Sequence, residues 1–151
     1  MRTYLVVMDE TEEASLAMRF AARRAAKTGG TVHLIAITEP PAFVAWGGVQ
    51  ATIEAEVRER AEAMLQAAAT RLHDDYDIRP QISVRQGEAT SVLREIMAED
   101  TSSAALVLAA AATGAPGPLV THFATSEPGT LPVPLMIVPG GLSEDEIDRL
   151  S

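Results

Sequence analysis

YLVVMDET, residues 4–11, joins a continuous apolar run to a polar turn. Tyr4–Met8 is apolar on both faces of an extended chain, which is typical of a strand buried inside a parallel sheet. Residues 9–11 are Asp-Glu-Thr, and such short polar and acidic side chains favour the end of a strand and the start of a helix. The helix that follows is predicted over Glu12–Lys27, because its alanines recur on one face with a period of 3.6 residues.

The alternation of strand and helix continues outward from this unit. The other predicted elements are strands at Thr31–Thr38, Ile82–Arg85, Ala104–Ala110 and Leu135–Val138, and helices at Ala51–Tyr76, around Val92–Met97 and around Leu119–Ser126. The strand at Ile82–Arg85 alternates apolar and polar side chains, which favours an edge of the sheet. Strands that alternate with helices predict right-handed crossovers. The fold class is therefore α/β, with an open parallel sheet of five strands covered by helices on both faces.

Two helices are predicted in more detail. The buried stripe of the helix at Ala51–Tyr76 is formed by Ile53, Val57, Ala61, Met64, Leu65, Ala68 and Leu72. Residues 140–151 form a short C-terminal helical tail, because Ser143 and Glu146 match a capping box and Leu142 and Ile147 match a hydrophobic staple.

Length and composition limit the class of protein. The chain has 151 residues, of which 47% are hydrophobic, and this suits one domain over residues 1–151. No apolar run approaches the roughly 20 residues that span a bilayer, and the first residues lack the anatomy of a signal peptide. Cysteine is absent, which excludes disulfides, thiolate metal sites and cysteine nucleophiles. We expect a cytoplasmic protein with no membrane partner.

The charge pattern limits the partners and the ligands. Twelve basic and 21 acidic residues give a net charge of −9, which disfavours DNA, RNA and anionic membranes. No lysine or arginine occurs between Arg94 and Arg149. An anionic ligand bound by that stretch must therefore rely on backbone N–H groups, hydroxyls, His122 or a metal.

Several segments, in this order and at this spacing, resemble the universal stress protein family. Asp9-Glu10-Thr11 follows the first strand where the family usually has Asp-Gly-Ser, and residues 37–40 (ITEP) resemble the end of the family's second strand. Gly87-Glu88-Ala89 matches a turn of the family, and Pro132–Val138 resembles its closing strand. The resemblance covers about residues 3–139. It implies a Rossmann-like sheet of the adenine nucleotide alpha hydrolase type, ordered 3-2-1-4-5, and a homodimer formed through the last strand, Val133–Val138.

The resemblance weakens at the family's phosphate-binding motif. Members that bind ATP carry Gly-x-x-Gly, nine further residues, and then Gly followed by Ser or Thr. Gly114 and Gly117 match the first part, but Glu127 and Pro128 stand where the second part belongs. The sequence therefore resembles members without the motif, or a divergent form of members that have it.

The candidate ligand pocket lies where strand order reverses, beyond the carboxyl ends of the strands. The candidate ligand-binding residues are Asp9, Ile37, Gly114, Gly117, Thr121 and Ser126. The resemblance implies that Asp9 faces the nucleotide, whereas on local chemistry alone Asp9 caps the next helix. Residues 114–126 either present N–H groups to a phosphate or only turn the chain. Phe43 and Trp46 either cover the pocket or pack onto the domain.

No motif of a known catalytic class appears. The sequence has no Gly-x-Ser-x-Gly elbow, Walker loop or Gly-x-Gly-x-x-Gly, and its three histidines have no metal-ligand spacing. We therefore expect a binding protein more than an enzyme, with no metal site and no firm cofactor. The first hypothesis is a regulatory protein of the stress type that binds ATP weakly. The alternatives are an ATP-binding member with slow or no hydrolysis, and an interaction protein with a vestigial pocket.

Overall fold

A computed structural model describes residues 1–40, 47–126 and 128–151. Its five strands are β1 (Thr3–Val7), β2 (Thr31–Thr38), β3 (Gln81–Gln86), β4 (Ser103–Ala110) and β5 (Leu135–Pro139). Its α-helices are α1 (Glu12–Thr28), α2 (Gly47–Tyr76), α3 (Ala89–Glu99), α4 (Pro118–Thr125) and α5 (Glu144–Leu150). A 3₁₀ turn at Pro128–Thr130 precedes β5. Among the described helices, none is both long and apolar enough to cross a membrane.

The five strands form one parallel sheet in the order β3-β2-β1-β4-β5. β1 pairs with β2 on one side and with β4 on the other, so the YLVV segment is the centre of the sheet. The predicted order, the central position of β1 and β4 and the edge position of β3 are confirmed. Strand order reverses between β1 and β4, because α1 leads the chain to one side and α3 returns it to the other.

Hydrophobic cores lie on both faces of the sheet. Successive β1 side chains alternate between them, so Val6 packs with α1 and α2 while Leu5 packs with α3 and α4. The small alanines of α1 let it approach the sheet closely, and Ala21, Ala22 and Ala25 have no exposed surface. Gly29 ends α1 in the left-handed region, with a φ of 69°, where glycine has no Cβ to clash.

Two details of α2 differ from the sequence prediction. The helix begins at Gly47, four residues before the predicted start at Ala51. Val57 was predicted to lie in the buried stripe, but its side chain is 44% exposed. The stripe is buried only from Ala61 onward, because the first turns of α2 extend past the ends of the strands and have no sheet beneath them. Phe43 and Trp46, predicted to lie in the preceding loop, fall outside the described residues.

Residues 140–151 contain the predicted short helix, α5, which packs on α1. Ser143 and Glu146 form the expected capping box, and Ile147 is fully buried in the core. Arg19 on α1 donates two hydrogen bonds to Asp148, from Nε to Oδ1 at 2.7 Å and from Nη2 to Oδ2 at 2.8 Å. The hydrogen bonds from Arg19 lower the pKa of Asp148, so this carboxylate stays ionised and holds α5 to α1.

Candidate functional site

Two pockets meet at the carboxyl ends of the strands. The inner pocket, of about 110 Å³, lies between β1 and β4 and is lined by Val7, Asp9, Thr11, Glu13, Ala14, Leu108, Ala109 and residues 116–120. The outer pocket, of about 300 Å³, lies between β1 and β2 and is lined by Met8, Asp9, Glu10, residues 36–38, Val57, Arg60, Ala61 and Met64. The inner pocket lies at the reversal of strand order, where open α/β sheets usually bind ligands, and the outer pocket adjoins it at Asp9. Asp9 is the residue that lines both pockets.

Asp9 is oriented by the turn that follows β1. The backbone N–H of Thr11 donates to Asp9 Oδ1 at 2.9 Å, and the Thr11 hydroxyl donates to the same oxygen. Thr11 is also the N-cap of α1, since its Oγ1 accepts from the N–H of Ala14 at 3.3 Å. The interpretation of Asp9 as the helix cap is therefore wrong. No described residue donates to Asp9 Oδ2, so this oxygen is free to accept a hydrogen bond from a ligand.

The end of β2 forms one wall of the outer pocket. Pairing between β1 and β2 ends at Val7 and Ile35, and the N–H of Met8 donates to the carbonyl of Ile35 at 2.8 Å. Ile37 lies two residues further along β2, with its backbone on the same edge as that of Ile35. The backbone of Ile37 therefore lies beyond the end of β1 and has no pairing partner on that strand. Its N–H and C=O lie on an edge of the sheet that borders the outer pocket.

Gly117 brings the start of α4 to the inner pocket. Its φ of 115° is a backbone conformation that residues with side chains rarely adopt. Pro118 is the first helical residue, a position at which the backbone N–H that proline lacks would have no partner within the helix. No side chain of the described residues caps α4, so its first N–H groups remain unsatisfied by a cap. These donors and the positive end of the helix dipole favour a small anion or a ligand oxygen at this point.

The electrostatic balance of the two pockets is acidic. Asp9 and Glu13 line the inner pocket, and no described lysine or arginine does so. Arg60 lines the outer pocket but is committed to Glu10, to which it donates from Nε at 2.7 Å and from Nη2 at 2.8 Å. These hydrogen bonds raise the pKa of Arg60. The pair contributes little net positive charge to a phosphate in either pocket.

The structure brings together three of the six predicted ligand-binding residues. Asp9 and Gly117 line the inner pocket, and Asp9 and Ile37 line the outer pocket. Gly114 is exposed in the loop between β4 and α4, with a φ of 75°. Thr121 is exposed on α4, and Ser126 is the C-cap at the end of α4 remote from Gly117. Across eight residues that helix is about 12 Å long, so Ser126 does not share a pocket with Asp9.

Two residues at the site were not predicted. Arg60 and Glu10 are 50 positions apart in sequence and meet over the outer pocket. One signal was available, because Arg60 follows Val57 by three residues on a helix whose predicted stripe faces the sheet. No group of three or more His, Asp or Glu side chains among the described residues is arranged to hold a metal ion.

The model of the universal stress protein family matches residues 1–139. The chain belongs to this family. The match ends at β5, so α5 lies beyond the part that the family model describes. No curated protein is detectably similar to the chain in sequence.

Solved structures of universal stress proteins share the fold at low sequence identity. A family member from Lactobacillus plantarum is 15% identical and superposes with a TM-score of 0.72 over 91% of this chain and 97% of its own. A member from Archaeoglobus fulgidus, solved in complex with dAMP, is 14% identical with a TM-score of 0.62, covering 91% and 97% of the two chains. A universal stress protein solved in complex with cAMP is 16% identical with a TM-score of 0.60, covering 93% and 98%.

Proposed function

We propose that this universal stress protein is a regulatory binding protein that takes an adenine nucleoside or mononucleotide at Asp9 and binds ATP only weakly. The carrying observation is the position of Asp9 in the wall of both pockets, with Oδ2 free of any described donor. Two family members of the same fold were solved with adenine mononucleotides, dAMP and cAMP. Their ligands support adenine as the base for this chain.

The outer pocket suits an adenine base and its ribose. Ala36, Ala61 and Met64 provide apolar walls, and its volume of about 300 Å³ is at the lower end of ligand pockets. The backbone of Ile37 offers a donor and an acceptor beyond the end of β1, which is what the polar edge of a purine requires. Asp9 Oδ2 accepts from a ribose hydroxyl or an amino group. These contacts fix a nucleoside without any contribution from phosphate.

The inner pocket suits at most a small phosphate group. Gly117 offers backbone donors at the start of α4, but Asp9 and Glu13 repel a polyanion at short range, and salt screens this only in part. A triphosphate carries about four negative charges and needs several converging donors. Losing two or three charge-assisted hydrogen bonds, at roughly 1.5–3 kcal/mol each, moves a micromolar affinity towards millimolar.

Isothermal titration with adenosine, AMP, cAMP and ATP with Mg²⁺ tests this order directly. We expect adenosine or a mononucleotide to bind at least tenfold more tightly than ATP. An ATP dissociation constant of about 10 micromolar or tighter would refute the weak-ATP proposal and support a working phosphate loop at residues 114–126. Absence of heat with every adenine compound at millimolar concentration would favour the vestigial pocket instead.

The variant Asp9→Asn separates the role of Asp9 from a general effect of charge. It removes a charged acceptor from the nucleoside contacts, so adenosine affinity should fall at least tenfold, as expected for one charge-assisted hydrogen bond. The same change removes one charge that repels phosphate, so ATP should lose less affinity than adenosine does. Asp75→Asn is the matched control, because it removes one carboxylate from the exposed end of α2. Equal losses in both variants would eliminate Asp9 as a ligand contact.

We also propose that the protein is a homodimer formed through β5. This strand is at the edge of the sheet, and Ile137 on it is 40% exposed. An apolar edge strand left open invites pairing with another chain, and a second copy closes it by symmetry. Light scattering at micromolar concentration should give twice the chain mass of 16.0 kDa. A monomer mass would refute the proposal.

A further inference from the structure

A third cleft lies at the opposite end of the sheet from Asp9. We call it the basal cleft; its volume is about 370 Å³, and it is lined by Arg2, Tyr4, Arg24, Ala104, Ala105, Pro134 and Met136. Arg2 immediately precedes β1, Ala104 and Ala105 are the second and third residues of β4, and Pro134 precedes β5. These positions are at the amino ends of the strands. The cleft is therefore independent of the site proposed above and of its ligand.

The basal cleft collects two guanidinium groups that the rest of the described chain does not neutralise. Neither the side chain of Arg2 nor that of Arg24 forms a hydrogen bond or an ion pair with a described residue. Several other arginines are paired with carboxylates, as in Arg19 with Asp148 and Arg60 with Glu10. In a chain with a net charge of −9, two free arginines on one cleft form a local positive field that no lining carboxylate opposes.

Arg24 carries an unsatisfied donor. Its Nε is buried from solvent and has no acceptor among the described protein groups. A buried donor without an acceptor is destabilising, and more so when the group is charged. An oxyanion in the cleft would accept from this donor. Guanidinium groups present parallel N–H donors that match the two oxygens of a carboxylate or phosphate.

The remaining lining is apolar. Tyr4 and Ala105 are buried, and the Tyr4 hydroxyl is already in contact with Thr28 Oγ1 at 3.3 Å. The Tyr4 ring therefore forms one apolar wall of the cleft, and Pro134 and Met136 form another at β5. A bare inorganic ion would leave these walls without a contact. A ligand with an acidic group on a small apolar body satisfies both parts of the cleft.

We propose that the basal cleft binds a small organic anion, in which Arg2 and Arg24 hold a carboxylate or phosphate and the apolar body lies against Tyr4, Pro134 and Met136. The proposal does not depend on nucleotide binding at Asp9. Its failure and the failure of the proposed function are therefore separate results.

Titrations monitored by ¹H–¹⁵N NMR test this proposal with four probes. Phenyl phosphate and benzoate carry the acidic group on an apolar ring, inorganic phosphate lacks the ring, and benzyl alcohol lacks the charge. We expect phenyl phosphate or benzoate to shift the amides of Arg2, Tyr4, Ala105 and Met136 saturably, and the stronger of the two identifies the acidic group. Inorganic phosphate and benzyl alcohol should each bind at least tenfold more weakly.

Three variants complete the test. Arg24→Gln and Arg2→Gln should each weaken the aromatic anion at least tenfold. Arg79→Gln removes the same charge from an exposed residue that does not line the cleft, and it should change nothing. Arg2 precedes the first strand, so its variant stays informative if Arg24→Gln lowers stability. The proposal is overturned if neither phenyl phosphate nor benzoate shifts the cleft amides. It is also overturned if inorganic phosphate or benzyl alcohol binds as tightly as the aromatic anions, or if Arg79→Gln weakens binding as much as Arg2→Gln and Arg24→Gln do.

Discussion

His33 should make the stability of this protein depend on pH below about 6.5, the ordinary pKa of histidine. Its side chain is only 2% exposed, and Nε2 lies 2.7 Å from the Ser83 hydroxyl. Nδ1 is buried without a hydrogen-bond partner among the described residues. Burial lowers the pKa of His33 because the imidazolium loses its hydration; Asp100 opposes this shift and Arg85 adds to it.

The direction of the pH effect follows from this lowered pKa. Below the unfolded pKa, the unfolded chain takes up a proton on His33 while the folded protein does not. Stability is therefore fully present above about pH 6.5 and falls as the pH decreases towards the folded pKa. One proton limits the slope to about 1.4 kcal/mol per pH unit. For a chain of this length, that corresponds to roughly 3–5 °C in Tm per pH unit.

Urea denaturation at half-unit steps between pH 7.5 and 5 measures this slope. His33→Gln should lower stability at neutral pH and flatten the dependence below pH 6.5, so its curve and that of the wild type converge as the pH falls. His73→Gln is the matched control, because His73 is exposed near the end of α2. The hydrogen bond from Ser102 lowers the pKa of Asp100, which keeps this neighbour ionised across the same range. If His33→Gln keeps the wild-type slope, the buried neutral imidazole is not its source.

Three other results are expected. Replacing Val6 or Leu106, both fully buried in the central strands, with Asp should cost several kcal/mol and abolish the cooperative unfolding transition; wild-type stability in either variant would contradict the core assignment. Gly140→Ala should destabilise the protein, because a Cβ there would lie 2.4 Å from the Ala110 carbonyl oxygen, whereas Gly141→Ala, with no atom within 4 Å, should not; equal Tm values would exclude a steric cause. Light scattering should give a dimer mass that falls by half when Ile137, on the exposed edge of β5, is replaced with Lys; an unchanged mass would place the interface elsewhere.

The strands were predictable because the residue types that favour and end a strand lie within the strand or directly beside it. β2 has the predicted bounds, Thr31–Thr38, since proline follows it and β-branched side chains fill it. The capping box of α5 was legible for the same reason, because a cap depends on residues three positions apart. Sheet order is not a local property. It came from the resemblance to the family and not from the residues of any single strand.

The errors concern residues whose burial or contacts depend on elements distant in sequence. Val57 continues the apolar stripe of α2, but α2 spans about 45 Å and the adjacent β2 only about 26 Å. The helix therefore overhangs the sheet, and its first turns border the outer pocket instead of the core. Periodicity shows which face of a helix is apolar but not how far the surface beneath it extends. The ion pair of Arg60 with Glu10 was missed for the same reason.

The same distinction between local and long-range information applies to the residues of the candidate site. Asp9 and Ile37 could be proposed because both stand at the carboxyl ends of predicted strands, which a parallel sheet brings to one edge. Ser126 was proposed because its hydroxyl belongs to the segment 114–126 that follows β4. The residues between Gly117 and Ser126 form a straight helix, which carries Ser126 away from the pocket. Whether Gly114, Thr121 and Ser126 contact a ligand stays a prediction.

The attachment of α5 to α1 has a consequence for the order in which the chain folds. The hydrogen bonds from Arg19 to Asp148 join residues 129 positions apart, so forming them closes a loop that contains most of the chain. Contacts that close such long loops bear a large entropic cost and tend to form after the folding transition state. Loosening α5 should then shorten the lifetime of the native state and leave the refolding rate almost unchanged. We therefore expect α5, which lies beyond the residues matched by the family model, to slow the unfolding of a sheet that forms before it docks.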